Sequence, residues 1–332
     1  MSRHYNIPVF VPHYGCPFSC VFCNQNAITG RNSETDINEA ETIIENQLST
    51  INDGDIEIAF FGGSFTAIPK EIMLRYLDLG KKYINSGRVR GIRISTRPDF
   101  INEKILGILK SYGVTTIELG AQSFDNDVLR KSGRGHTADD TINACRLINS
   151  YNCFNLGIQL MTGLPGDTEE KSVHSAEIAA ELKPSQVRIY PTLVIRGTAM
   201  EKMYRNGSYS PQTTEEAVIT AGKMLEIFEH HNISVIRVGL SSIEDMSQNG
   251  DIIAGPVHPA LRELCEGNKY LLRLEKIINS LPDKPVSLTI SAPPSEFSKI
   301  IGHKKCNSKK IYKKYGIKIH LKVSDGFSVK PE

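Results

Sequence analysis

Three cysteines fall within eight residues, as Cys16-x3-Cys20-x2-Cys23. The chain holds seven cysteines, and the other four (Cys145, Cys153, Cys265 and Cys306) are scattered. An odd, unevenly spread set does not suit a disulfide framework, whereas a tight group of soft thiolates suits a metal. Structural zinc normally takes four protein ligands, and His13 is the nearest other donor for such a site. Three thiolates without a fourth fit better to a four-iron, four-sulfur (4Fe-4S) cluster, with three irons held by the protein and the fourth left open. Coincidentally close cysteines buried for packing are the remaining alternative.

An open iron can chelate the amino and carboxylate groups of S-adenosylmethionine. Once reduced, such a cluster can pass one electron to the sulfonium, leaving methionine and a 5′-deoxyadenosyl radical able to abstract an unactivated hydrogen. A second motif, Phe60-Phe61-Gly62-Gly63-Ser64-Phe65-Thr66, follows. Paired glycines permit close backbone approach, and their carbonyls could accept from an ammonium group. Alone, the pair also fits an ordinary tight turn. No G-x-G-x-x-G and no G-x-x-x-x-G-K-S/T stretch is present, which removes the usual support for dinucleotide or nucleoside-triphosphate binding. His136, His230, His231, His258 and His303 show no i, i+4 pairing with a nearby acid, and none is assigned to zinc. Glu118 lies inside a strand-like run, where a buried acid needs a partner. A bond to a neighbouring strand and a catalytic role both remain open for it.

The elements that must position these groups alternate regularly over the first 240 residues. Ile-, Val- and Phe-rich runs at 8–11, 56–61, 89–95, 116–120, 155–161, 186–190 and 234–238 predict strands covered on both faces. Helical patterns lie near 36–51, 69–85, 101–112, 137–151, 168–182 and 213–230, with Asp36 and Thr168 as N-caps. Six βα units and a seventh strand imply an α/β fold with a parallel sheet, either curled toward a barrel or open and doubly wound. The motifs favour the barrel, because they follow the ends of successive strands: cysteines after the first, Gly62-Gly63 after the second, Ser95, Gln122, Gly163 and Pro191 after the next four. After Leu240 the pattern loosens through a turn-rich crossing. Helical runs at 259–280 and 306–315 and strand-like runs at 286–290, 317–323 and 327–329 then suggest a small α+β appendage. The expected division is 1–245 and 246–332.

The chain has 332 residues, 40% of them hydrophobic, and a formal net charge of only +2. That average hides two opposites. Residues 256–332 carry 15 Lys and Arg against 7 Asp and Glu, while residues 1–255 carry 24 against 30. No acid interrupts the run from Lys299 to Lys322, which includes Lys304, Lys305, Lys309 and Lys310. Such a patch can attract a polyanion, although a solvated lysine face is the plainer alternative. No apolar stretch reaches the length of a spanning helix, and the first residues do not form a secretory signal, so a cytoplasmic location without membrane contact is expected.

The stretches HYGCPFSCVFCNQ (13–25), FFGGSFTAIP (60–69), STRPD (95–99), ELGAQSFDNDVLRKSGRGHT (118–137), MTGLPGDT (161–168) and IYPTLVIRGTAM (189–200) together resemble radical S-adenosylmethionine enzymes. The match is narrower still with the radical domain of the catalytic subunit of Elongator and its short bacterial relatives. It covers roughly residues 5–240. The resemblance implies a partial (β/α)6-type radical SAM barrel with a small α+β C-terminal appendage. It also implies a 4Fe-4S cluster on Cys16, Cys20 and Cys23, with S-adenosyl-L-methionine bound beside it. By the same resemblance, Phe22 and residues 157–163, Gly163 included, would face the adenine. Gly62 and Gly63 would hold the methionine amino group, Ser95 and Gln122 would lie toward the ribose or methionine, and Arg134 would meet a carboxylate. Asp99 and Asp125 would shape loops or touch the cofactor. Tyr190, Arg196 and Gly197 would face the substrate.

The resemblance has departures. The gap between the first two cysteines is shorter than in the Elongator subunit, and too few residues follow the barrel for its acetyltransferase domain. The stretch GPVHPALREL (255–264) resembles one carried by the short relatives but suggests no chemistry. Cys306 could donate a hydrogen atom, contact RNA or be incidental. The expected function is reductive cleavage of S-adenosylmethionine, with a low-potential donor such as flavodoxin or ferredoxin and with RNA or tRNA as the substrate. A maturation or sulfur-transfer enzyme acting on a protein, and a non-catalytic RNA-binding protein with a structural cluster, are the alternatives.

Overall fold

Each of the expected apolar runs becomes a strand in the computed structural model, which describes residues 3–11, 16, 18–24, 36–240 and 243–332, without the side chains of 243–245. The strands are β1 His4–Val11, β2 Asp55–Gly62, β3 Gly91–Thr96, β4 Val114–Gln122, β5 Asn155–Thr162, β6 Gln186–Pro191, the short β7 Val194–Ile195, and β8 Ser234–Val238. Seven of them form one sheet in the order β1-β2-β3-β4-β5-β6-β8. Every neighbouring pair is parallel. Spatial order follows chain order, so each crossover steps the same way and right-handed connections put the helices on one face. A doubly wound sheet would reverse direction midway. Among the described residues β1 and β8 do not pair, so the curled sheet stays open on one side.

The covering helices are α1 Ile37–Leu48, α2 Lys70–Asn85, α3 Glu103–Ser111, α4 Asn126–Lys131, α5 Ala138–Ser150, α6 Glu169–Glu181, α7 Ala199–Arg205 and α8 Thr214–His230. Side-chain caps start most of them. Asp36 accepts from the Glu39 amide and Thr168 from the Lys171 amide. Thr137 and Thr213 form reciprocal boxes with Asp140 and Glu216, each satisfying amides that the first turn cannot. Alternation along the strands then splits the sheet in two. Ile58, Phe60, Ile92, Ile94, Ile117, Leu119, Ile158 and Leu160 are fully buried beneath the helices. Their neighbours Glu57, Arg93, Ser95, Glu118, Gln159 and Arg188 fall on the opposite, concave face.

The rest of the chain comprises α9 Ile243–Gln248, β9 Ile252–Ala254, α10 Leu261–Ser280, β10 Ser287–Ala292, α11 Phe297–Ile301, α12 Cys306–Tyr315, β11 Lys318–Val323 and β12 Ser328–Pro331. β9 pairs antiparallel with β7. A separate sheet has the order β11-β10-β12, with β10 parallel to β11 and antiparallel to β12. The core changes within α10. Leu261 and Cys265 pack into the barrel core, whereas Leu271, Leu274 and Ile278 join a second core with Leu288, Ile290, Ile300, Ile311 and Ile317. The elements that the hydrophobic period did not announce are the shortest: α4, α7, α9, α11, β7 and β9. They are too brief to show a repeat.

Candidate active site

A cavity of about 460 Å³ lies where the first five strands end. Cys16, Cys20, Cys23, Phe22, Gly62, Gly63, Ser95, Gln122, Arg134 and Gly197 all line it. The cysteine stretch is fastened from two sides. The Cys23 amide donates to the Cys20 carbonyl (3.0 Å), the Val21 amide to the Ser132 carbonyl (3.1 Å), and the Met200 amide to the Val21 carbonyl (2.8 Å). Val21 and Phe22 pack against a small apolar cluster containing Val128, Val194 and Met200. Gly62 has φ 113°, and a Cβ there would stand 2.9 Å from the Val11 carbonyl oxygen. Only glycine lets β1 and β2 meet this closely at the cavity wall.

The polar wall is built around two buried arginines. Arg134 donates from Nη2 to the Gly120 carbonyl (2.5 Å) and from Nη1 to Cys20 Sγ (3.3 Å). Arg97 grips Asp99 with two bonds of 2.9 Å and donates to the Arg134 carbonyl (2.6 Å). Asp99 therefore serves to fix a guanidinium, and Asp125 caps α4 through the Val128 amide (2.9 Å). Arg97 Nη1, Arg134 Nε and Gln122 Oε1 are buried without a hydrogen-bond partner. Leaving a buried polar atom unpaired costs about 1–3 kcal/mol, so orphans gathered at one cavity point to a ligand that completes them. Two are donors and one is an acceptor, which matches a molecule carrying both a carboxylate and an ammonium or hydroxyl group.

Among the described residues, no three Cys, His, Asp or Glu side chains group to hold a metal ion. One tetrahedral ion needs its thiolates about 2.3 Å from a single centre. A four-iron cluster instead takes them at separate irons. Three thiols line this cavity, one of them receiving an arginine N–H, and three protein thiolates without a fourth fit the cluster. His13, the other donor considered for zinc, lies outside the described residues.

Next to the cavity a charged network crosses the concave face. Glu118 accepts from Arg93 Nη1 (2.7 Å), Arg188 Nη2 (3.0 Å) and Gln159 Nε2 (2.9 Å). Gln159 also donates to Ser95 Oγ (3.2 Å). Arg93 is shared with Glu57, 2.8 Å from its Nη2, and Thr116 donates to the same carboxylate (2.8 Å). Burial alone would raise the pKa of both acids. The guanidinium of Arg188 for Glu118, and that of Arg93 for Glu57, more than offset it and hold both below the ordinary range. Glu118 is thus an ionised structural partner to two strands. Burial and the nearby charges of Arg134 and Arg97 push His136 down to about 4.

Not every expected residue reaches the cavity. Gly163 lines a neighbouring hollow of about 480 Å³ beside Tyr209 and Gln212. Tyr190 shares the concave face with Arg188 but does not line the cavity. Arg196 does not line the cavity and donates to the Gly250 carbonyl (2.8 and 3.0 Å). Lys304, Lys305, Lys309 and Lys310 lie in the turn before α12 and on α12, in the second unit formed by the second core and its separate sheet, as does Cys306. Cys145 and Cys265 are buried core residues whose thiols burial raises to about 12. The cavity adds Ser64, Thr96, Arg97, Gln159, Thr198 and Ala199. The apolar-polar alternation of Ile92-Arg93-Ile94-Ser95 and the charges inside strands were the signals that could have marked the polar inner face.

The model of the Radical SAM superfamily matches residues 10–179, and that of the Radical_SAM C-terminal domain matches residues 184–272. A tRNA uridine(34) acetyltransferase of Methanocaldococcus jannaschii is 38% identical over 128 residues, which is 38% of this chain and 24% of that protein. Elongator complex protein 3 of Homo sapiens is 28% identical over 192 residues, covering 52% of this chain and 35% of that one. The chain thus matches well under half the length of these relatives. Among solved structures, the archaeal Methanocaldococcus infernus Elp3 with an N-terminal deletion shares the fold, with a TM-score of 0.65 and 24% identity over 83% of this chain and 64% of that one. With its cysteine-lined cavity at the strand ends of a curled parallel sheet, the chain belongs to the radical SAM superfamily, whose enzymes use a 4Fe-4S cluster and S-adenosylmethionine.

Proposed function

We propose that this chain cleaves S-adenosylmethionine reductively and that its substrate is an RNA, with tRNA as the leading candidate. The observation that carries the first part is the gathering of three thiols and three unpaired buried polar atoms on one cavity. Cys16, Cys20 and Cys23 would hold the 4Fe-4S cluster, and Arg134 would stabilise the Cys20 thiolate by its bond to sulfur. Bound there and reduced by a donor such as flavodoxin or ferredoxin, the cluster supplies the electron that turns S-adenosylmethionine into a 5′-deoxyadenosyl radical. Gly62 and Gly63 leave room for the amino group, Arg97 and Arg134 offer free N–H groups to the carboxylate, and Gln122 and Ser95 stand where hydroxyls can be met. Phe22 offers an apolar face to the adenine.

The RNA part is supported by the likeness to tRNA uridine(34) acetyltransferases and by the lysine-rich stretch near the C-terminus. In this reading residues 1–245 perform the radical chemistry and residues 246–332 contact substrate, with α10 shared between them. Among the described residues no helix is long and apolar enough to cross a membrane. We place the protein in the cytoplasm, where tRNA and flavodoxin-like donors are found.

Anaerobic reconstitution with iron and sulfide, followed by mass spectrometry of the products, tests the chemistry. The wild type should form 5′-deoxyadenosine, and Cys20→Ala should lose cluster and product together. Normal product from the Cys20→Ala protein, or one zinc ion and no labile sulfide in the wild type, would refute the assignment. Comparing RNA from cells with and without the gene then identifies the modified nucleoside.

A further inference from the structure

The second unit carries its charge in an unusual way. Residues 297–324 contain no Asp or Glu. Lys299 and Lys314 are tied to Glu266 (2.7 Å) and Glu275 (2.9 Å) on α10. Lys304 and Lys305 in the turn, Lys309, Lys310 and Lys313 on α12, and Lys318 and Lys322 on β11 are all exposed. No ion pair reaches them among the described residues. A surface kept only for solubility intersperses both signs. Seven unpaired like charges on one small unit instead repel one another until a polyanion arrives.

The shape beneath these charges narrows the kind of polyanion. The order is strand β10, helix α11, a short turn, helix α12, strand β11. The turn opens at Gly302, with φ 75° and ψ 160°, where a Cβ would lie 2.6 Å from Cys306 Sγ and 2.7 Å from Asn307 Cγ. Lys304 and Lys305 follow in left-handed conformations. Asn307 locks the turn from behind, donating to the carbonyls of Gly267 (2.7 Å) and Ile300 (3.1 Å). Tyr312 is 55% exposed on the same helix as Lys309 and Lys313, one turn from the former. Among the described residues β11 pairs only with β10, so its outer row of backbone groups has no strand partner there. KH-type folds clamp a single strand's backbone with a GXXG loop; the Gly302-His303-Lys304-Lys305 turn between two helices has the first glycine and carries two lysines where the loop's second half would be. Aromatic side chains among lysines serve the same end by stacking.

The unit is also joined to the barrel. His303 packs edge-on against His258 (5.4 Å between centroids) and meets Glu263 (3.2 Å). Both partners belong to the 255–264 stretch whose purpose the sequence left open. That stretch continues β9, which pairs with β7, and β7 leads to Gly197 and Thr198 on the cavity wall.

We propose that residues 286–331 are a single-stranded RNA-binding unit. The phosphate chain would run along the 302–305 turn and the lysine face of α12. A base would stack on Tyr312 beside β11, and the 255–264 stretch would set the distance to the cavity. The proposal rests on the RNA reading above and adds the form of the RNA, the surface and the mode of contact.

The test is fluorescence anisotropy with the full chain, a labelled unstructured RNA of about twelve nucleotides, and no reductant or S-adenosylmethionine. Affinity should fall with salt at a logarithmic slope of about −0.7 per phosphate neutralised. Lys309→Ala with Lys310→Ala should make that slope shallower by about 1.4. Tyr312→Ala should weaken binding roughly tenfold at every salt concentration without changing the slope, and Tyr312→Phe should restore it. A duplex bound as tightly as the single strand, polyglutamate competing as well as RNA, or unchanged slopes in the lysine variant would each overturn the proposal. Binding is read without turnover, so the two readings fail separately. Wild type that binds in this way but makes no 5′-deoxyadenosine removes only the radical assignment, and wild type that makes it while the variants show none of these losses removes only the RNA unit.

Discussion

The inner face of the barrel and the outer face of the second unit are both rich in charge, and they use it in opposite ways. In the barrel, Arg93 and Arg188 are matched to Glu57 and Glu118 at hydrogen-bond distance and hidden from solvent. On the second unit, seven lysines face solvent with no ion pair to an acid among the described residues. A buried charge whose partner is fixed holds strands in register, because breaking the pair strands an ion in a poor solvent. An exposed charge without a partner contributes little to folding and is screened by salt, but remains available to a polyanion. The first region should therefore control stability, and the second binding.

The largest break in that comparison should come from Glu118→Leu. It leaves two buried guanidiniums short of their shared carboxylate, and unfolding in urea should show a loss of about 3–5 kcal/mol. Arg93 keeps Glu57, so the lower part of that range is expected. A stability equal to the wild type would mean that the network is not what holds β3, β4 and β6 together.

His136 gives the next effect, and it has a pH signature. Its folded pKa is depressed to about 4 by burial and by Arg134 and Arg97, against 6.5 in the unfolded chain. Below 6.5 the unfolded chain takes up a proton that the folded chain refuses. The contribution is complete above pH 6.5 and is lost as pH falls through about 4, amounting to about 3 kcal/mol. His136→Leu should flatten this window, which is seen by comparing unfolding free energies of the two proteins from pH 7 to 4.5. Parallel curves would place the sensitivity elsewhere. The depressed carboxyls Glu57 and Glu118 add their own loss only at lower pH.

A smaller loss is expected on the second unit where a neutral side chain does the structural work. Asn307→Leu removes the donor to the Gly267 and Ile300 carbonyls and should cost about 1–3 kcal/mol. Limited proteolysis should then open residues 286–331 before the barrel. Simultaneous cleavage of both would show that the second core does not yield on its own.

How much of this was legible beforehand depends on how locally each feature is encoded. Runs such as Ile56–Phe61 declare a buried strand by composition, and the cysteine spacing declares a site. The order of motifs after successive strands also placed that site on one rim. What stayed hidden needed partners distant in sequence. Arg93 and Glu118 are separated by 25 residues and Glu118 and Arg188 by 70, and nothing local pairs them. Arg196 sits in a loop motif that suggested substrate contact, and the carbonyl that its guanidinium meets in the structure, that of Gly250, is supplied from 54 residues away. The turn at Gly302 was passed over for a related reason. Two lysines in left-handed conformations follow it, and lysine carries no sign of such backbone geometry.

The least disruptive substitution sharpens the contrast most. Lys313→Ala removes an exposed side chain that no acid touches among the described residues, so stability should change by less than about 0.5 kcal/mol. The salt slope of RNA binding should nonetheless become shallower by about 0.7, one phosphate contact. Both numbers come from the same protein preparation, which makes the pair stricter than either alone. If Lys313→Ala unfolded as readily as Asn307→Leu, the lysine would be part of the fold after all. The difference between a charge that holds the structure and a charge that waits for a partner would then fail where it should be clearest.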